Sequence, residues 1–262
     1  MDAHQLKTFE TLDHFLAWRK EIPSTKNIGF VPTMGALHAG HASLLHQART
    51  ENDFVVLSIF VNPTQFNQKS DFETYPKPFR EDLELAHVEK VDAVFAPSDP
   101  KFIYPDDFRY RVTETVFSKT LCGEFRPGHF DGVLTLVLKF FNIVRPTRAY
   151  FGEKDHQQLS LISGMIDALF LDIKLVPCKT MREDSGLALS SRNKRLSTQD
   201  LKLAPKLYEI ITQEKNLETA IQALTQAGFK VEYLKDQHEK NQTRRYVAAW
   251  LGEVRLIDNV IP

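Results

Sequence analysis

Two imidazoles, His38 and His41, stand three residues apart in the run Pro32-Thr33-Met34-Gly35-Ala36-Leu37-His38-Ala39-Gly40-His41. An imidazole donates hydrogen bonds, so a pair can clamp an anion or stabilise charge developing on a phosphoryl group. Gly40, between them, removes a side chain that would bar a ligand from the backbone. The same spacing also suits half of a metal site or two surface histidines. Position favours the anion: the run lies where an apolar strand ends and a helix begins, and the unpaired N–H groups of a helix start favour phosphate oxygens. In open α/β sheets, moreover, ligands bind beyond the carboxyl ends of the strands.

Three further clusters occupy similar places. Asn62-Pro63-Thr64-Gln65 follows a second apolar strand. Its amides suit a hydroxyl or carboxylate of a small polar substrate, although Asn-Pro is also ordinary turn chemistry. Phe151-Gly152-Glu153-Lys154-Asp155-His156-Gln157-Gln158 again runs from strand to helix. Lys154 and Gln158 share one helix face if the helix starts early enough, and a lysine there is a point charge suited to a nucleotide phosphate. Asp155 and Gln158 alone also make a capping box. Leu189-Ser190-Ser191-Arg192-Asn193 sets hydroxyls beside a guanidinium, which makes either a compact anion loop or a solvated turn. Its place at a change of texture along the chain favours the loop, because clefts favour domain junctions.

Other candidates are weaker. Arg126-Pro127-Gly128-His129 is a flap or a turn with surface charges. Glu81 and Asp82 start a helix, where the macrodipole alone accounts for them. His46 and His156 read as ordinary helix residues. No G-x-x-x-x-G-K-S/T, G-x-G-x-x-G or G-x-S-x-G occurs, which argues against a P-loop NTPase, a dinucleotide dehydrogenase and an α/β-hydrolase.

The elements that must position these groups alternate over the first two thirds of the chain. Strands are expected at Ile28–Pro32, Phe54–Val61, Asp92–Ala96, Ala149–Gly152 and Asp172–Pro177, with a further one at Tyr110–Val116. Helices are expected at Gly40–Glu51, Pro78–Lys90, Phe130–Val144 and Asp155–Phe170. The rhythm is that of a parallel α/β sheet. Beyond about residue 180, helices at Thr198–Ile211 and Glu218–Ala227 precede strands at Phe229–Leu234, Arg245–Leu251 and Glu253–Val260, a small α+β unit. Two domains are therefore expected, residues 1–180 and 181–262.

Composition narrows the function. The 262 residues carry 33 Lys plus Arg and 34 Asp plus Glu, a formal charge of −1, so no bulk field draws nucleic acid or an anionic membrane. Apolar residues make up 42% and charged residues 26%, as in ordinary globular proteins and unlike disordered ones. Cys122 and Cys178 fit no zinc or redox spacing, which suits a reducing compartment. The first residues, with Asp2, His4, Lys7 and Glu10, lack a signal pattern, and no apolar run reaches membrane-spanning length. A soluble cytoplasmic protein is expected.

Read as an ordered set, P-T-M-G-A-L-H-A-G-H, S-I-F-V-N-P-T-Q-F, R-P-G-H-F-D-G, F-G-E-K-D-H-Q-Q-L and G-L-A-L-S-S-R-N resemble the pantothenate synthetase (pantoate–β-alanine ligase) family of the nucleotidyltransferase superfamily. The resemblance runs from about Gly29 to Asn193 and resumes at Ala248-Ala-Trp-Leu-Gly and Arg255-Leu-Ile-Asp-Asn259. It implies a Rossmann-like ATP- and pantoate-binding domain, a smaller C-terminal lid, a homodimer, and use of ATP with Mg²⁺ held mainly by the phosphates. The implied reaction joins pantoate to β-alanine through a pantoyl adenylate, releasing pyrophosphate and then AMP. The resemblance further implies that His38 and His41 bind the ATP phosphates, His41 as an acid-type donor, and that Lys154 neutralises phosphate charge. Met34, Gly35, Gly40, Gly152, Asp155, Met181 and Leu189 border the nucleotide in this scheme. Ser190, Ser191 and Arg192 take the place of a Lys-Met-Ser-Lys-Ser loop. Gln65 and Gln158 hold pantoate, Gln65 also lying near β-alanine, with Met34 and Asn62 shaping the pocket.

Two departures stand out. Ser185-Gly186-Leu187-Ala188 replaces the family's Asp-Gly-Leu-Ala, with Asp184 one place earlier, so the hinge of the serine loop is expected to be set differently. The stretch from about Lys215 to Arg244 is shorter than the family's. Two rival functions remain at this stage. A transferase acting on a phosphorylated acceptor would need more Lys or Arg than Gln65 and Gln158 offer. A non-catalytic nucleotide-binding module would not need all four clusters.

Overall fold

Phe54-Val-Val-Leu-Ser-Ile59 is apolar without alternation, the pattern of a strand covered on both faces, and Val55, Val56, Leu57 and Ser58 are indeed wholly buried. The computed structural model describes residues 5–67, 69–239 and 242–262; Asp2 and His4 lie outside the described residues. Its strands are β1 (Lys7–Phe9), β2 (Ile28–Thr33), β3 (Phe54–Ile59), β4 (Ala93–Phe95), β5 (Arg148–Gly152), β6 (Lys174–Cys178), β7 (Lys230–Glu239), β8 (Gln242–Leu251) and β9 (Val254–Val260). Its helices are α1 (Leu12–Glu21), α2 (Ala39–Glu51), α3 (Lys69–Glu73), α4 (Phe79–Val88), α5 (Cys122–Phe125), α6 (His129–Val144), α7 (His156–Ala168), α8 (Thr198–Leu203), α9 (Lys206–Gln213) and α10 (Leu217–Gln226).

Two compact units share these elements. The first comprises residues 1–152 and 157–178, the second residues 153–156 and 179–262. In the first unit six parallel strands run in the order β1-β4-β3-β2-β5-β6. The chain builds outward from β2 through β3 to β4, then returns to the other side of β2 with β5 and β6. The reversal between β2 and β5 is the switch point at which such sheets open a crevice. Alternate residues face opposite sides: Val31, Val55 and Leu57 join Leu44, Leu45 and Ala48 of α2 in one layer. On the other side Phe30 meets Phe140 and Phe141 of α6, while Phe95 meets Phe15 of α1 and Phe140.

In the second unit β7, β8 and β9 form an antiparallel sheet, joined at its last hairpin through Gly252. Leu207, Ile211, Ala220 and Leu224 of the helices pack with Leu234, Val247, Ala249 and Leu256 of the strands. Arg245, 1% exposed, would be costly unpaired. It pairs with Asp236 at 2.8 and 2.9 Å and donates to the carbonyls of Ile211, Glu214 and Lys215, which ends α9.

Three expectations change. Tyr110–Val116 is not a strand, because its backbone donors go to side chains: Tyr110 N–H to Asp106, Val112 N–H to Thr135 and Val116 N–H to Glu114. The helix expected over Thr198–Ile211 is two helices, α8 and α9, interrupted at Pro205, which has no N–H to give. The sequence reading missed β1 and α1 altogether. Cys122 and Cys178 are buried and not bridged.

Candidate active site

Within the first unit the site is built at the carboxyl ends of β2, β3 and β5. After β2 the chain turns through two left-handed residues, Gly35 (φ 80°) and Ala36 (φ 51°). That costly turn is held by Asp82 of α4. Its carboxylate, 2% exposed, accepts the N–H groups of Ala36 at 2.9 Å and Leu37 at 2.7 Å. A Cβ on Gly35 would stand 2.9 Å from the same carboxylate. The turn delivers His38 to the N-cap of α2, where its Nδ1 accepts the Gly40 N–H at 3.1 Å. In the neutral ring the proton is therefore on Nε2, which makes that atom the ring's donor. The His41 ring lies 4.1 Å from that of His38, centroid to centroid, tilted by 43°.

Beyond β3, Asn62 is wholly buried and its amide is spent inside the protein. Its oxygen accepts from Thr64 N–H, Thr64 Oγ1 and the Tyr104 hydroxyl, the last at 2.7 Å. Its nitrogen donates to Gln65 Oε1 at 3.1 Å and to the Gly132 carbonyl at 3.2 Å. Asn62 thus orients Gln65, whose own Nε2 points at Met34 Sδ, 2.8 Å away. Burial pushes the Tyr104 phenol up to about 12 against the opposing pull of its bonds to Thr64 and Asn62, so it remains a donor.

Arg126 and His129, expected as a flap or surface turn, instead hold this corner from behind. His129 is buried, its Nδ1 lies 2.8 Å from the Gln65 carbonyl oxygen, and Arg126 donates to the same oxygen at 3.3 Å. Gly132 of α6 presses on the turn so closely that a Cβ there would lie 2.5 Å from the Thr64 oxygen. Gln158 is half-buried in the first turn of α7. Its neighbour Gln157 is buried and ties the 117–122 turn through the carbonyls of Phe117 and Thr120 and the N–H of Cys122. Gly152 closes β5, with open space where a Cβ would be.

The second unit has its own hollow, lined by Lys154, Ser190, Arg192, Asn193, Tyr208 and Arg255. Lys154 stands in the short turn Glu153–Asp155 ahead of α7, so the four-residue spacing to Gln158 is not one continuous helix face. Its ammonium lies 3.8 Å from Asp155, which is exposed. Met181 and Leu189 face each other across a narrow hairpin, Leu189 N–H donating to the Met181 carbonyl at 2.9 Å. At its tip Gly186 (φ 90°) makes the turn, and Ser185 Oγ accepts the Leu187 N–H at 3.4 Å, the local role an aspartate would otherwise take. The hairpin leads into the turn Ser191–Arg195, capped by Ser190, whose Oγ accepts the Arg192 N–H at 3.3 Å. Asn193 donates to the Ala188 carbonyl, while its Oδ1 is buried with no hydrogen-bond partner. His156 bonds the Tyr246 hydroxyl at 2.8 Å, and His46 lies 3.7 Å from Glu89. Among the described residues no group of three His, Cys, Asp or Glu could hold a metal ion.

The expected site residues therefore fall into two sets. Met34, Gly35, His38, Gly40, His41, Asn62, Gln65, Gly152 and Gln158 lie in the first unit; Lys154, Asp155, Met181, Leu189, Ser190, Ser191 and Arg192 lie in the second. The sequence reading missed Asp82 as the holder of the histidine turn, and Tyr104, Arg126 and His129 as supports of Gln65. Residues 6–261 match the family model described as pantoate-beta-alanine ligase. The chain belongs to the pantoate–β-alanine ligase family. Pantothenate synthetase of Bdellovibrio bacteriovorus is 54% identical over 94% of this chain and 95% of its own length. That of Coxiella burnetii is 46% identical over 97% and 96%. The crystal structure of the Francisella tularensis pantoate-beta-alanine ligase, complexed with beta-gamma ATP and beta-alanine, superposes with a TM-score of 0.92 at 42% identity, covering 98% of both chains. The Thermus thermophilus pantothenate synthetase gives 0.87 at 39%, covering 97% of this chain and 99% of its own. In this family of ligases the parallel sheet and the three-stranded antiparallel sheet recur as described above.

Proposed function

We propose that the chain is a pantoate–β-alanine ligase that condenses pantoate with β-alanine at the expense of ATP, forming pantothenate, AMP and pyrophosphate. The observation that carries this reading is the close, tilted histidine pair after the switch-point strand β2, in the same turn whose Met34 meets the buried, neutral carboxamide of Gln65. A carboxylate oxygen of pantoate attacks the α-phosphorus of ATP, the bond to the bridging oxygen breaks, and pyrophosphate leaves. The amine of β-alanine then attacks the acyl carbon of the adenylate, loses a proton, and displaces AMP.

No covalent bond to the protein forms, so the protein's part is alignment and charge stabilisation. His38, with its tautomer fixed by Gly40, donates from Nε2 to a phosphate oxygen, and His41 donates beside it. Lys154, Ser190, Ser191 and Arg192 supply the further donors and positive charge that a triphosphate requires. Gln65 and Gln158 receive pantoate, Gln65 also bordering β-alanine, while Asn62 and Met34 fix the orientation of Gln65. Gly35, Gly40, Gly152, Asp155, Met181 and Leu189 border the nucleotide. Mg²⁺ would arrive with ATP, held mainly by its phosphates and neutralising part of their charge, which suits a donor set rich in imidazole, ammonium and guanidinium. The enzyme is read as a cytoplasmic homodimer acting on small molecules, with no nucleic-acid or membrane partner; no described helix is long and apolar enough to cross a membrane.

The test is ATP–pyrophosphate exchange. Exchange is expected with pantoate alone, and AMP release only once β-alanine is added. Exchange driven equally by a phosphorylated acceptor, or none with pantoate, would remove the assignment.

A further inference from the structure

Asp258 and Asn259 close the sequence Arg255-Leu-Ile-Asp-Asn259 on β9, and the reaction proposed above makes no direct use of them. As consecutive strand residues they face opposite sides of the sheet. Both are nevertheless buried, 4% and 6% exposed. Polar groups on both faces of one strand are costly unless each is fully bonded.

Each is bonded to a different anion-binding element. Asp258 grips Arg182 through both oxygens, at 2.6 and 2.8 Å. The Arg182 guanidinium lies 3.7 Å over the Tyr208 ring and also donates to the Gly186 carbonyl at 3.1 Å. Arg182 pairs directly across the hairpin with Ala188, the residue to which Asn193 is tied. Asp258 thus fixes the base of the Ser190–Arg192 loop. Asn259 donates through Nδ2 to two successive carbonyls, Glu153 at 2.9 Å and Lys154 at 3.0 Å. Its oxygen accepts from Arg244 at 2.6 Å, which sets the amide the right way round. Asn259 thus fixes the turn from which the Lys154 ammonium rises.

We propose that Asp258 and Asn259 are positioning residues for catalysis: one rigid dipeptide sets the spacing between the lysine and the serine–arginine loop that together receive the phosphates. The proposal rests on the ligase reading. It acts on adenylate formation, in which the triphosphate must be aligned, and not on transfer of the finished pantoyl group to β-alanine.

The two half-reactions are to be timed separately in the full-length protein: pyrophosphate release from ATP plus pantoate, and pantothenate formation from supplied pantoyl adenylate plus β-alanine. Asn259→Asp keeps the shape and the bond to Arg244 but turns a carboxylate oxygen toward the two carbonyls. Asp258→Asn breaks the double grip on Arg182, as does Arg182→Lys from the other side. Each variant is expected to slow the first half-reaction by about 10²-fold, the scale of a misplacement of roughly 1 Å, and to leave the second unchanged. Unchanged adenylation, or parallel loss of both half-reactions in variants with a wild-type melting temperature, overturns the proposal. If the β9 variants do not accumulate as folded protein, Arg182→Lys decides by the same criterion. Absence of adenylation by the wild-type protein would instead count against the ligase reading itself.

Discussion

At the scale of single residues, the histidine pair depends on an aspartate 45 positions from the nearer anchored backbone N–H. Both carboxylate oxygens of Asp82 face donors, the N–H groups of Ala36 and Leu37. In Asp82→Asn one oxygen becomes an amide that meets an N–H head-on, so a charge-assisted bond is replaced by a donor–donor clash in a buried setting. A loss of about 2–3 kcal/mol in unfolding free energy is expected. Urea denaturation reads it, and a midpoint equal to that of the wild type would show that the turn holds itself. His38 and His41 were legible because residue type and spacing are local. Asp82 was not: in sequence it is an acidic residue at a helix start, and only the tertiary fold brings it under Ala36. Nor does any pattern announce that a non-glycine residue will adopt a left-handed conformation there.

At the scale of elements, the contact between α6 and the turn Pro63–Gln65 sets where the Gln65 amide stands. Gly132 permits that contact; a Cβ would lie 2.5 Å from the Thr64 oxygen and 2.8 Å from the Gln65 nitrogen, both backbone atoms that cannot swing aside. Gly132→Ala is expected to cost about 1–3 kcal/mol through forced displacement and to raise the KM for pantoate. Gly164→Ala, on α7 where nothing lies within 4 Å, is expected to stabilise by up to about 1 kcal/mol from helix propensity. Thermal melts of the pair provide the comparison, and equal shifts would mean that the close approach is not a constraint. The major helices and strands flanking the site were legible because β3 is a continuous apolar run and α6 is long and strongly apolar, each bounded by turn residues. Tyr110–Val116 misled because β-branched and aromatic residues there carry strand propensity, while their N–H groups are claimed by Asp106, Thr135 and Glu114.

At the scale of the molecule, global stability carries a proton dependence. The Tyr110 N–H, followed by the Lys139 ammonium, holds the Asp106 carboxyl down at about 2, below its ordinary 3.8. A lowered folded value means that the native state prefers the carboxylate, so the contribution is complete above about pH 4 and is lost as pH falls toward 2. Calorimetry on wild type and Asp106→Asn should therefore show a melting-temperature gap at about pH 6 that narrows below about pH 4 and closes only as pH falls below about 2; a constant gap would mean that another group carries the dependence. Alternation of strand and helix made the parallel sheet legible, but not its strand order, which arises from where helices α1, α2, α4 and α6 find apolar cover.

Residues 153–156 count with the C-terminal unit, so the chain visits that unit twice. A fragment starting at Lys179 would strip the Asn259 amide of the two carbonyls it was shaped for and take His156 away from Tyr246. Exchanging this unit between relatives as a module would thus require transplanting a four-residue insert along with it. During synthesis, too, Lys154 acquires its final setting only after Asn259, 105 residues further along, has left the ribosome.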